Sequence, residues 1–179
     1  GLALVYLGAG YTLERRAGQR PAGLPLYAAA YLVVGFVTIQ ALATFEQNPA
    51  DLATALIGDV IALGVSAAVY RRYEWIYGAA WLLIAPVFIY AGLYLRGTVD
   101  QGLALGVLML NYVAAGYVLG RRALRLGGPF LTAAAFLSLA VTALTWESPS
   151  IASAVMIAIA GLYLLVALWL GWSWLRPQA

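Results

Sequence analysis

Residues 1–17 read GLALVYLGAGYTLERRA, and residues 107–123 read VLMLNYVAAGYVLGRRA. Aligned without a gap, the two stretches share ten of seventeen positions, among them Leu4/Leu110, Tyr6/Tyr112, Gly10/Gly116, Tyr11/Tyr117 and the pairs Arg15-Arg16 and Arg121-Arg122. The match resumes after a one-residue slip, with AAAYL at 28–32 against AAAFL at 133–137 and FEQNP at 45–49 against WESP at 146–149. The period is about 106 residues, which holds four apolar segments. An even number of spans returns the chain to the same side, so the repeats are parallel, unlike the inverted repeats of many transporters. A fainter echo sets YGAAWLL at 77–83 beside YAAAYLV at 27–33, each behind an Arg pair. The elementary unit is then a helical hairpin of roughly fifty residues, which needs neighbours to cover its packing face.

Of the 179 residues, 64% are hydrophobic and 9% charged, against about a quarter charged in a soluble domain. So little polar surface cannot keep a fold in water. A helix crossing a bilayer core of about 30 Å needs roughly 20 apolar residues. Six segments meet this: 24–45, 51–70, 75–95, 101–120, 129–146 and 151–174. Their links are short and rich in turn formers, which makes neighbours antiparallel. The expected fold is an all-α integral membrane protein, an antiparallel bundle of six full spans plus a partial or short first span, built from tandem hairpin repeats. It reads as one polytopic domain over 1–179, with repeat copy one at 1–100 and a partial copy two at 101–179. The first segment offers only fourteen residues before Arg15. Two alternatives follow: the chain starts inside a membrane helix of a longer polypeptide, or the first helix is short and tilted.

All ten basic residues are Arg, and nine of them fall on one side when the spans alternate; only Arg96 falls on the other. Arg15, Arg16, Arg71, Arg72, Arg121 and Arg122 thus set the topology, with the Arg-bearing bends and the C-terminus cytoplasmic. Trp75, Trp146, Trp172 and Trp174 stand at span ends, where amphipathic rings favour the interface. Arg without Lys points to a GC-rich bacterial source and hence to the inner membrane.

The chain has no His, Cys or Lys. The usual ligands for zinc, haem iron and Fe–S clusters are missing. So are a thiol nucleophile and a lysine able to form a Schiff base with retinal or pyridoxal phosphate. No cofactor and no metal are expected. The dispersed Arg pairs argue against nucleic acid; the partners expected are the lipid bilayer and other membrane subunits or further spans of the same chain.

Asp59, in the middle of LATALIGDVIALGVSAAVY, is the outstanding polar residue. A carboxyl group at that depth costs about 2.5 kcal/mol or more unless it faces protein or water. It is either a proton or cation site or a hydrogen-bonded packing residue. Thr38, Pro86 and Asn111 lie at similar depth, roughly 10–15 Å below the outer surface at 1.5 Å per residue. Pro86 also leaves the carbonyl of Leu82 without its donor. These four form a candidate intramembrane polar site. Gly102/Gly106 and Gly116/Gly120 have the GxxxG spacing that lets helices approach closely. Glu46 and Glu147 sit at outer turns beside Pro49 and Pro149, as caps for the helices that follow. The recurring Tyr6, Tyr11, Tyr112 and Tyr117 read as packing residues.

Three functions remain open. One is a non-catalytic accessory or scaffold subunit, or the embedded part of a larger protein. The second is a permease or ion-coupled transporter using Asp59. The third is the membrane domain of an enzyme whose catalytic part lies outside this segment.

Overall fold

The computed structural model describes residues 2–17, 23–70, 74–121 and 124–174, and these are helical apart from short turns. The helices run in the order α1 (Leu2–Ala17), α2 (Leu24–Ala43), α3 (Pro49–Tyr70), α4 (Glu74–Leu82), α5 (Ile84–Tyr94), α6 (Thr98–Gly120), α7 (Leu124–Thr145) and α8 (Pro149–Trp174). Among the described residues, six spans are long and apolar enough to cross a membrane, counting α4 and α5 as the single span Glu74–Tyr94. This is the architecture of a multi-pass membrane protein. Helix α1, at 16 residues, is shorter than any of the six.

Local chemistry sets the boundaries. Helices α3 and α8 both start on a proline, Pro49 and Pro149, two residues earlier than the hydropathy suggested. Proline is pre-shaped for the first helical position, where its missing N–H costs nothing. Asn48 and Ser148 precede them, and their carbonyls accept from Asp51 N at 3.2 Å and Ala152 N at 2.8 Å. Pro86 breaks the third of these spans: the helix stops at Leu82, turns through Leu83 and restarts at Ile84. The proline ring has no N–H and crowds the carbonyl four residues back, which is that of Leu82. Pro129 behaves differently from the expectation that it would begin its span. It lies buried inside α7, which starts at Leu124.

The chain divides into two compact units, Gly1–Leu93 and Tyr94–Ala179. In the first, α1 packs on α2 and α3, α2 on α3, and α3 on α4. Leu7, Tyr27, Ala30 and Ala62 are buried at the centre of this packing. In the second, α7 lies between α6 and α8. The α6–α7 contact is made by small residues. A methyl group added at Gly102 would stand 2.9 Å from Thr145 Cγ2, and one at Gly116 2.8 Å from Leu131 Cδ2. Gly127 of α7 meets the backbone of Gly116 and Gly120 directly. Gly106 is looser, with Val141 Cγ1 at 3.8 Å. Helix α8 is different: over residues 149–168 only Ala152 is buried, and Met156, Ile157, Leu164, Leu165 and Leu168 are exposed.

Helices α1 and α6, which carry the matched stretches, bury the same face. Gly10 and Gly116 are buried; Leu4, Tyr11, Leu110 and Tyr117 are exposed. The likeness stops at the next helix. Ala30 of AAAYL is buried while Ala135 of AAAFL is exposed, and Ala28 is exposed while Ala133 is buried. There the two segments share sequence but not the face they bury.

Candidate functional site

Thr38 and Asp59 face each other across α2 and α3. Thr38 Oγ1 donates to Asp59 Oδ2 at 2.7 Å. Both residues are half-buried. A hydroxyl donor on a neighbouring helix is what a carboxyl group at bilayer depth needs, since lipid offers none. Asp59 also lines a cavity of 690 Å³ formed by the start of α1, the second half of α2 and the first half of α3. Gln40, Thr54 and Asp51 add polar groups to its wall. Its rim includes the exposed apolar side chains of Leu2, Leu4, Val37 and Ile61. That volume lies within the range of small-molecule sites, about 300–1,000 Å³.

The other two members of the expected polar layer stand elsewhere. Pro86 is buried in the broken span. Asn111 lies on α6 in the second unit and is exposed; its Nδ2 donates to the carbonyl of Val107 at 2.8 Å, one turn back on the same helix. Of the topology residues, Arg15 and Arg16 occupy the last turn of α1, and Arg121 caps α6 with its guanidinium 5.9 Å from the centre of the Tyr117 ring. Arg71, Arg72 and Arg122 lie outside the described residues. Glu147, read as a cap for α8, accepts a hydrogen bond of 2.6 Å from Thr98 Oγ1 at the head of α6.

Sequence reasoning missed a recurring device. Ser66 Oγ donates to the carbonyl of Ala62 at 2.6 Å and is hydrogen-bonded to the Tyr31 hydroxyl. A hydroxyl has one proton to give, so Tyr31 is the donor. The same arrangement links Tyr90 to Thr54 at 2.8 Å, with Thr54 donating to Ala50 O at 2.8 Å. It recurs between Tyr163 and Ser138 at 2.9 Å, with Ser138 donating to Ala135 O at 2.6 Å. Each time a tyrosine of one helix gives its proton to a Ser or Thr of another, which passes its own to a carbonyl of its own helix. An aromatic group accompanies the first of these. The Tyr27 and Tyr70 rings meet edge-on at 5.3 Å, Trp75 stacks on Tyr31 at 5.8 Å, and the Tyr27 hydroxyl donates to Glu14 Oε2 at 3.3 Å. No periodicity marks such pairs, because partners 25 to 36 residues apart are set by the packing.

Among the described residues, no three acidic side chains gather closely enough to hold a metal ion. No buried side-chain oxygen or nitrogen among them lacks a hydrogen-bond partner. No family model matches the chain, and no curated protein and no solved structure matches it.

Proposed function

We propose that this polypeptide is a non-catalytic integral membrane protein, an accessory or scaffold subunit or the embedded part of a larger assembly, that acts through helix packing and lipid contact. One observation carries the reading. Among the described residues, hydroxyls inside the spans close onto carbonyls of their own helices, onto tyrosines of adjacent ones or, for Thr38, onto Asp59 of the next helix. Such groups hold helices together, and none is poised against a reacting partner. The setting is a bacterial inner membrane with the Arg-bearing bends cytoplasmic. The origin is duplication of a hairpin unit, supported by the common buried face of α1 and α6. The test is native electrophoresis and mass spectrometry of the full-length protein extracted in mild detergent. A fixed-stoichiometry complex with other membrane subunits is expected. A lone protein that hydrolyses or transfers a substrate would overturn the reading.

A second reading is a permease using Asp59, favoured by the position of that carboxyl group on a cavity wall. Proteoliposomes test it: solute or proton flux that disappears in Asp59→Asn supports it, and flux unchanged by Asp59→Asn removes it.

A further inference from the structure

We propose that the cavity between α1, α2 and α3 binds a lipophilic organic cation, an ammonium-type charge on an apolar body, with the charge against Asp59. This names a ligand class for the permease reading and rests on it for the role of Asp59.

The wall chemistry is the starting point. Two carboxyl groups line the cavity, Asp51 in the first turn of α3 and Asp59 two turns further in, and among the described residues no basic side chain does. In unit one, Arg15 and Arg16 stand in the last turn of α1, whereas Leu2 to Leu4 of that helix touch the cavity. The field inside is therefore set by carboxylates, in surroundings where charge is weakly screened. Thr38 holds Asp59 by Oδ2 alone. Among the described residues no buried side-chain oxygen lacks a partner, so Oδ1, which Thr38 does not hold, is not sealed in the interior. A carboxyl group fixed at one oxygen and open at the other is a counter-charge for a single cation.

The remaining wall selects the body of the ligand. Exposed Val37 and Ile61 belong to both the cavity and the outer surface of the unit. In a bilayer that surface meets acyl chains, so an apolar cation can arrive from the lipid without crossing water. The cavity wall also carries Val33, Val34, Val37 and Ile61, which offer a hydrated inorganic ion no oxygen to replace its shell but suit an apolar body. Gly58 supplies room on the cavity wall one residue before Asp59: a methyl group added there meets nothing within 4 Å.

Tetraphenylphosphonium is the probe, measured by equilibrium dialysis against the full-length protein in nanodiscs of zwitterionic lipid. Saturable binding is expected, weakened about tenfold or more by Asp59→Asn, a step of roughly 1.4 kcal/mol. Gly58→Leu, which adds bulk to the cavity wall and leaves Asp59 in place, is expected to weaken it about tenfold or more while thermal unfolding stays cooperative. Tetraphenylborate, of the same shape and opposite charge and measured in a separate dialysis, is expected to show no saturable binding. Uptake that rises linearly and equals that of empty nanodiscs overturns the proposal, as do binding unaffected by both variants and equal saturable binding of the borate measured alone. Saturable binding without flux leaves this inference standing and removes the permease. Flux of a neutral solute without cation binding does the reverse.

Discussion

Thr38 of α2 and Asp59 of α3 are joined by a hydrogen bond of 2.7 Å between two neighbouring spans. Interhelical hydrogen bonds in membranes average about 0.6 kcal/mol and reach about 1.7. A bond to a carboxyl group at depth belongs in the upper part of that range. Thr38→Val is expected to cost about 1 kcal/mol in reversible unfolding. Asp59→Asn keeps an acceptor oxygen for Thr38 and is expected to cost less. A double-mutant cycle of Thr38→Val with Asp59→Leu should return a coupling of similar size; none at all would mean that the two side chains do not stabilise the helix pair through each other.

The tyrosine–hydroxyl–carbonyl links make a second prediction. Tyr31→Phe and Tyr163→Phe each remove one donor and are expected to cost roughly 0.5–1.5 kcal/mol. Ser66→Ala is expected to cost more, about 1–3 kcal/mol, because it leaves the Tyr31 hydroxyl without its acceptor. Trp75 stacks on Tyr31, so its fluorescence should shift in Ser66→Ala and stay unchanged in Tyr163→Phe.

Glycine substitutions should separate close approach from open space. Gly127→Leu drives a side chain into the backbone of Gly116 and Gly120. Overpacking of this kind costs about 1–3 kcal/mol, more where backbone must move. Gly161→Leu on α8 meets nothing within 4 Å and is expected to be neutral or slightly stabilising, since leucine is the better helix former by about 0.8 kcal/mol. Thermal unfolding in detergent should show a large fall in Tm for the first and none for the second.

Orientation can be read by labelling, because the chain contains no cysteine to give background. Single cysteines replacing Gln47 or Ser148 are expected to react with an impermeant maleimide in intact cells. One replacing Glu74 is expected to react only after permeabilisation. The opposite pattern would invert the proposed topology, and labelling of Gln47 and Glu74 from the same side would remove the span between them.

The spans were legible in the sequence because length and hydropathy alone determine them, and both survive any detail of packing. Breaks were legible where the cause is local: Pro86 interrupts its helix by removing its own N–H. Pro129 was misread because its helix continues upstream to Leu124, through Gly127, which lies against α6. A contact with another helix is invisible in a local reading. Asp59 stood out as a lone carboxyl group in an apolar run, and Thr38 was placed at its depth. Asn111 was placed there too, but depth along a helix says nothing about azimuth, and its amide turns back to Val107. Tyr31 and Ser66 carry no local mark, since half of each link sits on another helix.

The glycine contact between α6 and α7 has a mechanical consequence. Where main chain rests on main chain, no side-chain rotamers intervene to absorb a displacement, so the two rods translate as one piece. Around Asp59, α2 and α3 meet through side chains, Thr38 on Asp59, beside a cavity, and rotamer changes there can absorb small displacements. Side-chain rotamers can therefore adjust around Asp59, whereas no such adjustment is open where Gly127 meets the main chain of Gly116 and Gly120.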